Sequence, residues 1–422
     1  MSRLRAALPK LSDFQRHLLV QSSGTVLSQL VPIIASPLLT RIYAPADFGL
    51  YGVVVSIATL LAIFITLRVD HGIIVSPSDD EAKKVAVLSL WLAVAGAAFF
   101  ALAAAVTIAV IGASDWTHFF TWVVFGPLAA LLAAATRTLT LFNNRLKHFA
   151  LVSRARFAQA IVAAAASVLL GFLTFQAYGL VVALLIGNLL YVVMLGGRLY
   201  PFTPGDVASS LSIVKANAKF IRFSLPADLV NSLTARMPFI VFPALYGLEQ
   251  TGYLALAYRV VATPARFVGT AIGEVFYSHA ARDYERTGNC LSSARNVAVI
   301  LGGIGLIGFA ILFVTAEPLF AFAFGEEWRP AALFTQILTP MLFVSFVVSP
   351  LSVVFYIASR QKDDFLWQIV FLVATTAASF AGLLMGGMAG SLMAVSAVGV
   401  ALYLVYLALI WRYAAGSTTA RS

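Results

Sequence analysis

The sequence has 422 residues, of which 61% are hydrophobic and only 11% are charged. Soluble domains carry about 25% charged residues, so this composition excludes an ordinary soluble protein and indicates a polytopic membrane protein. The formal net charge of +10 does not indicate nucleic-acid binding, because the basic residues lie in short segments between apolar runs. Cys290 is the only cysteine, which excludes an intramolecular disulfide and a cysteine metal cluster.

Long apolar runs, taken in chain order, predict twelve transmembrane helices at about 20 residues per span. Their expected ranges are 17–40, 48–67, 85–111, 119–142, 157–176, 180–198, 223–246, 252–276, 296–316, 331–357, 365–384 and 390–411.

The Lys and Arg residues outside these spans alternate between the two sides of the membrane. The N-terminus, the even-numbered gaps and the C-terminal tail hold 22 of them when Arg198, the last residue of the sixth span, is counted with the gap after it, whereas the odd-numbered gaps hold only Arg41 and Arg329. By the positive-inside rule, we expect both termini in the cytoplasm. The longest outward gap is predicted over Glu317–Pro330. Tyr43, Tyr246 and Trp328, in or beside outward gaps, are expected to anchor at the membrane interface, with stacking on sugar rings as the alternative.

Two similar halves are visible in the sequence. Leu39–Tyr51 reads LTRIYAPADFGLY and Phe242–Leu254 reads FPALYGLEQTGYL, so that an offset of 203 aligns Gly49 with Gly252. Because each half has six spans, an even number, the halves share one orientation and are related by an axis along the membrane normal.

Four segments follow from these patterns. Residues 1–16 are expected to form an amphipathic cytoplasmic segment, with a disordered tail as the alternative. An N-terminal lobe is predicted over 17–205 and a C-terminal lobe over 206–411. Residues 412–422 are predicted to be a cytoplasmic tail.

The seventh and eighth spans are unusual because they contain charged residues. A charge near the bilayer centre costs about 2.5–3.5 kcal/mol on insertion scales, so this concentration predicts a polar cavity. Arginine presents a planar fork of donors that suits phosphate oxygens. We therefore expect Arg236, Arg259 and Arg266 to bind an anionic substrate. The alternative is that each arginine pairs with Asp228 or Glu274, or extends to an interface.

Other charged residues lie near the ends of spans in the first half. Arg137, on the fourth span, is a candidate substrate contact, although it is close enough to the inner end to extend to the interface. Arg68 and Asp70 end the second span. They would guide an anionic headgroup or close a salt bridge.

The carboxylates of the C-terminal half are candidate coupling or counter-ion residues. Asp228, with Asn231 one turn later, would bind a coupling cation or neutralise an arginine, and the second role is favoured. Glu274 lies near the inner end and could also face water. There is no phosphate-binding Gly-Lys-Ser/Thr loop and no Gly-x-Ser-x-Gly motif, so we expect no catalytic residue, cofactor or metal.

Several segments resemble one family of membrane proteins. Ser36–Gly49 resembles the first outward turn of Wzx-type polysaccharide and O-antigen flippases, which belong to the multidrug/oligosaccharidyl-lipid/polysaccharide (MOP) exporter superfamily. Phe324–Trp328 and Ser349–Ser352 resemble the C-terminal half of the same family. Arg68–Ile73 lies where relatives carry an Arg-aromatic-Glu pattern, and here Val69 and Asp70 replace the last two.

The resemblance implies an all-α, MATE-like fold with two six-helix lobes in the bacterial inner membrane. It implies a flippase and not an enzyme. Such relatives move undecaprenyl-pyrophosphate-linked oligosaccharides from the cytoplasmic to the outer leaflet by alternating access. The implied partners are the lipid-linked oligosaccharide, the bilayer, a proton or sodium ion, and other polysaccharide-assembly proteins.

Two alternatives stay open. A drug/cation antiporter of the same superfamily would line its cavity mainly with acidic residues, whereas arginines outnumber acids in these spans. An integral membrane polysaccharide polymerase or ligase would carry a large outward loop, and the gaps here are short.

Overall fold

The computed structural model describes residues 27–111, 120–173, 175–197, 199, 218 and 220–416, and these residues contain helices and no strand. The main helices are α1 Leu27–Leu39, α2 Pro45–Ile65, α3 Asp79–Ile111, α4 Gly126–Arg145, α5 Phe149–Phe172, α6 Gln176–Gly196, α7 Leu225–Arg236, α8 Pro238–Thr287, α9 Leu291–Phe324, α10 Arg329–Val348, α11 Gln361–Ala381 and α12 Gly387–Ala414.

The predicted all-α membrane fold is confirmed. Within the described residues, nine helices are long and apolar enough to cross a membrane, and Leu27–Leu39 is a shorter apolar helix. The charged helices α7 and α8 supply the remaining predicted spans, so every predicted span overlaps a helix. The predicted segment 1–16, the start of the first span, most of the segment between the two predicted lobes and the end of the tail lie outside the described residues.

Two predicted gaps were placed wrongly. Helix α9 continues to Phe324, so that most of the predicted gap Glu317–Pro330 is helical. Helix α6 already begins at Gln176, where the sequence predicts the gap between the fifth and sixth spans. Polar or helix-breaking residues suggested these ends in the sequence, but Glu317 and Pro318 lie inside α9 and Gln176 is the first residue of α6, so they interrupt neither helix.

Helix α8 turns at one residue rather than across the longer gap predicted between the seventh and eighth spans. Gly247 has a φ of 83° and a ψ of 173°, and regular helix continues on both sides of it. Residues with a side chain rarely adopt this conformation, so the glycine permits the turn without a connecting loop.

The described residues form two compact units. The first unit comprises the described residues up to Ile42 and Val53–Leu229. Within it, α5 packs along α6, and α4 packs against both α3 and α6. A buried apolar cluster that includes Val69, Ile73 and Phe142 joins the segment after α2 to α3 and α4.

The second unit comprises Tyr43–Gly52 and the described residues from Val230 onward. Its helix α10 packs against α8, α9 and α12, and α12 also packs against α11. The unit therefore contains the first two turns of α2 together with the helices of the second half.

Within the second unit, the start of α2 crosses α8 at two glycines. A Cβ atom on Gly49 would lie 1.9 Å from the carbonyl oxygen of Leu248, and one on Gly252 would lie 1.7 Å from that of Pro45. Both positions therefore require glycine. The contact is reciprocal, because the offset of 203 relates Gly49 to Gly252 and also Pro45 to Leu248. The predicted correspondence between the halves is thus present in the packing.

Two aromatic residues predicted as interfacial anchors are instead buried. Trp328 is 0% exposed, and its ring packs edge-to-face on Phe48 at 4.9 Å and on Tyr253 at 5.9 Å between centroids. Tyr43 is 2% exposed. The prediction was wrong because sequence position near a gap does not reveal which rings other helices cover.

Candidate functional site

A tight turn after α2 places charged residues inside the first unit. Leu67 and Arg68 have φ values of 49° and 56°. This left-handed region is uncommon for residues other than glycine. The chain then forms a short 3₁₀ turn over Val69–His71. Arg68 is only 4% exposed and Asp70 is 0% exposed, so two charges are buried within three residues.

The turn is connected to α7 by an ion pair. Arg68 Nε lies 2.7 Å from Asp228 Oδ2. His71 Nε2 lies 3.5 Å from the same carboxylate oxygen. The counter-ion contact of Asp228 is therefore with Arg68, and not with the arginines of its own half that the sequence analysis considered.

The same turn is connected to α4 through Arg137. Its Nε donates a hydrogen bond to Asp70 Oδ2 at 2.7 Å. Its Nη2 lies 2.8 Å from His71 Nε2. Because a guanidinium has only donors, Nε2 of His71 is the acceptor, and the imidazole is neutral with its proton on Nδ1.

These five residues form one network, and we call Arg68, Asp70, His71, Arg137 and Asp228 the charge network. Its two arginines and two aspartates cancel in formal charge. Burial lowers the pKa of Arg68, and burial likewise lowers the pKa of His71 below its ordinary value. Asp70 opposes the shift of the His71 pKa, whereas Arg137 adds to it.

The charge network is not fully hydrogen-bonded. Arg68 Nη1 and Asp70 Oδ1 are buried and have no hydrogen-bond partner in the described part of the chain. Unpaired buried polar atoms are costly, since they have lost water without gaining a replacement. The network therefore retains hydrogen-bond donors and acceptors that would find partners in another arrangement of these side chains.

A second group of charges lies in the second unit. Arg236 ends α7 and is partly buried, and Arg266 is exposed on α8. The two guanidinium groups are close enough to repel each other electrostatically. Across the described residues, neither makes an ion pair with a carboxylate. We call Arg236 and Arg266 the arginine pair.

Arg259 lies on the same helix as Arg266 but has an aromatic environment. Its guanidinium carbon lies 5.3 Å from the ring centroid of Phe48 and 5.9 Å from that of Tyr51. A cation over an aromatic face is attracted by the ring quadrupole. Tyr51 also acts electrostatically on Arg236. The first turns of α2 therefore contribute aromatic side chains beside the arginines.

The remaining predicted site residues join neither group. Asn231 and Glu274 are exposed. Neither makes an ion pair or a side-chain hydrogen bond that involves the described residues.

Sequence reasoning missed three residues of these groups. His71 was not considered as a site residue, although it directly follows Asp70. Phe48 and Tyr51 lie in the segment that repeats in the second half, and that repeat was the available signal. Their contact with Arg259 depends on packing between distant segments.

Charged clusters inside the helical units of a membrane protein mark candidate substrate or ion sites. A family model described as "Polysaccharide biosynthesis protein" matches residues 38–333. This range covers most of the chain, so the protein belongs to that family. The family resemblance stated from the sequence is thereby confirmed.

Known proteins are similar over most of the chain. The succinoglycan biosynthesis transport protein ExoT of Rhizobium meliloti is 25% identical over 384 residues, which cover 83% of this chain and 71% of ExoT.

Solved structures share the fold. The lipid II flippase MurJ, in an inward closed conformation, has a TM-score of 0.70 at 12% identity, over 93% of this chain and 87% of that chain. A MOP superfamily transporter from Pyrococcus furiosus has a TM-score of 0.62 at 14% identity, over 93% and 94% of the two chains.

Proposed function

We propose that this protein is a flippase for an undecaprenyl-pyrophosphate-linked oligosaccharide. It moves this lipid from the cytoplasmic to the outer leaflet by alternating access. The relatives support this proposal, because ExoT is a succinoglycan transport protein and MurJ is a lipid II flippase.

The observation that carries the proposal is the arginine pair. Arg236 is partly buried near the like charge of Arg266, and an anion that contacts both side chains would relieve that repulsion. A pyrophosphate offers several charged oxygens, and arginine binds such oxygens in a bidentate way. We assign Arg236 and Arg266 as its principal contacts, with Arg259 beside them.

The charge network of the first unit has a different role in this proposal. Arg68 and Arg137 already contact Asp228 and Asp70, so their positive charge is compensated. They are consequently weaker candidates for holding a pyrophosphate than the sequence analysis assumed. The pairing also counts against a drug/cation antiporter, because Asp70 and Asp228 already contact arginines and have no spare charge for a cationic drug.

The experiment is a flipping assay in vesicles that contain the purified protein and a lipid-linked oligosaccharide. The variants are Arg236→Gln, Arg266→Gln and their combination. Hydrogen bonds to charged groups contribute about 1.5–3 kcal/mol, so each loss should lower productive binding roughly tenfold to hundredfold. Arg329→Gln is the matched control, since Arg329 forms exposed ion pairs with Glu317 and Glu326.

The proposal predicts slow flipping in the arginine-pair variants and normal flipping in the control, with equal amounts of folded protein. Flipping at the wild-type rate in the combined variant would show that the pair does not bind the substrate.

We also propose the arrangement of the chain in the inner membrane. Both termini face the cytoplasm, on the evidence of the Lys and Arg distribution. The lobes over 17–205 and 206–411 move relative to each other during alternating access. Because no ATP-binding motif is present in the sequence, we expect an ion gradient, the membrane potential or the substrate gradient to drive the cycle.

A further inference from the structure

His71 lies between two partners of opposite charge. Its Nε2 atom is 2.8 Å from Arg137 Nη2, and the same atom is 3.5 Å from Asp228 Oδ2. Arg137 belongs to α4 and Asp228 to α7, so one imidazole nitrogen can form a hydrogen bond with a residue of either helix. The nitrogen bonds to Arg137 when it carries no proton and to Asp228 when it carries one.

We propose that Nε2 of His71 is the proton-binding site of this transporter, and that its protonation moves the imidazole from Arg137 to Asp228. The proton comes from water and adds to the nitrogen lone pair. That nitrogen then stops accepting a hydrogen bond from Arg137 and donates one to Asp228 Oδ2. The use of this site in transport rests on the proposed flippase function, whereas proton binding itself does not.

Protonation would redistribute the partners of the charge network. Asp228 Oδ2 already pairs with Arg68 at 2.7 Å, so a charged His71 becomes a second cation at the same oxygen. Arg137 keeps its hydrogen bond to Asp70. The unpaired Arg68 Nη1 and Asp70 Oδ1 show that the present arrangement does not satisfy every buried group.

The change acts on α7, the helix that also carries Arg236 of the arginine pair. Asp228 precedes Arg236 by eight residues on that helix, which is about two turns. A proton that binds one arrangement more tightly shifts the population toward it, and by reciprocity the arrangement changes proton affinity. This is the physical requirement for coupling a proton to substrate movement.

The groups that act electrostatically on His71 come from three elements, and the segment Phe220–Ser224, which carries the exposed Arg222, also packs against this turn. Asp70 and Arg68 lie on its own turn, Arg137 on α4 and Asp228 on α7, and these four groups act electrostatically on the imidazole. Helix α3, which packs against the same turn, contributes apolar residues that include Ala82 and Val85. The pKa of His71 is lowered, so the imidazole is neutral at pH 7 here and takes a proton as the pH falls.

The direct test is a pH titration of the full-length protein with ¹⁵N-labelled histidine, followed by NMR in lipid nanodiscs. The His71 signal is assigned from its absence in His71→Gln. We expect it to titrate with a midpoint below the ordinary histidine value of about 6.5. Asp228→Asn should lower that midpoint further, and Arg137→Gln should raise it.

Two results would overturn the proton site. One is a His71 signal that stays neutral down to pH 4.5. The other is a midpoint that Asp228→Asn leaves unchanged, because the proposed partner exchange requires that carboxylate. The titration needs no substrate, so it decides on the site independently of the flippase function.

The transport arm compares the pH profile of flipping in wild type and His71→Gln. We expect the wild-type rate to change as the pH falls below about 6.5, and the variant rate to be nearly constant over the same range. A variant with the wild-type profile would overturn the coupling role. If wild type flips no lipid-linked oligosaccharide at any pH, the proposed function fails, and the titration still decides whether His71 binds the proton.

Discussion

At the residue scale, the charge network shows how this chain keeps charges inside a helical unit. Asp70 is fully buried, and a lone carboxylate there would be far too costly without a partner. Arg137 provides both the opposite charge and a hydrogen bond at 2.7 Å. Its side chain is 40% exposed, so the pair is only partly removed from water.

Removing one partner of this pair should destabilise the protein. For Asp70→Asn we expect a loss of about 1–3 kcal/mol, below the range for fully buried pairs because Arg137 is partly solvated. Thermal unfolding of the purified protein measures the change. The combination with Arg137→Gln should cost less than the sum of the two single variants. Strict additivity would mean that the two side chains do not interact.

Because the pKa of His71 is lowered, its contribution to the free energy of unfolding should decrease as the pH falls. The folded state keeps the imidazole neutral, whereas the unfolded chain binds a proton below its ordinary pKa of about 6.5. Stability from this residue is therefore fully present above that pH and is lost as the pH falls through the lowered pKa. Melting curves from pH 7.5 to 5 should show a smaller decrease for His71→Gln than for wild type. An equal decrease in both proteins would contradict the assignment.

At the element scale, the crossing of α2 and α8 is the most demanding packing contact of the second unit. Both glycines lie against backbone carbonyl oxygens, which cannot move aside as a flexible side chain can. Phe48 and Trp328 pack beside this crossing, and Arg259 covers the Phe48 ring. The contact therefore joins the start of α2, from the first half of the sequence, to α8, from the second half. Trp328, in the segment after α9, packs against it as well.

Gly252→Ala tests this crossing. Its new Cβ would lie 1.7 Å from the Pro45 carbonyl oxygen, so the helices must separate. Overpacking of this kind costs about 1–3 kcal/mol, which a shift in the melting temperature would report. Gly303→Ala is the matched control, because no atom lies within 4 Å of its new Cβ. Equal stability of the two variants would show that the close crossing is not formed.

At the scale of the whole molecule, the helices could be predicted because the bilayer imposes a length on each apolar run. The repeat around Gly49 and Gly252 also predicted a correspondence that the packing shows. The ion pairs could not be predicted in this way. Arg68 and Asp228 are 160 residues apart, and no local pattern relates them. The burial of Trp328 was missed for the same reason, since it depends on rings from distant segments.

The proposed orientation predicts which side of the membrane each turn faces. Two exposed positions are suitable for cysteine labelling, Glu327 between α9 and α10 and Glu285 near the end of α8. The variants are Glu327→Cys and Glu285→Cys. Cys290 can stay in place, because it is buried and burial raises the pKa of its thiol to about 11.

In intact cells, a membrane-impermeant maleimide should label Glu327→Cys and leave Glu285→Cys unlabelled. The opposite pattern would reverse the orientation of the chain. Labelling of both variants after permeabilisation is the control for accessibility.

The most direct test of the central claim is the binding of undecaprenyl pyrophosphate to the purified protein, measured by native mass spectrometry. We expect wild type and Arg329→Gln to bind it equally. Removing both members of the arginine pair should weaken binding by a factor of about 100 or more, since each charged hydrogen bond contributes about 1.5–3 kcal/mol. Wild-type affinity in the variant that carries both Arg236→Gln and Arg266→Gln would contradict the account.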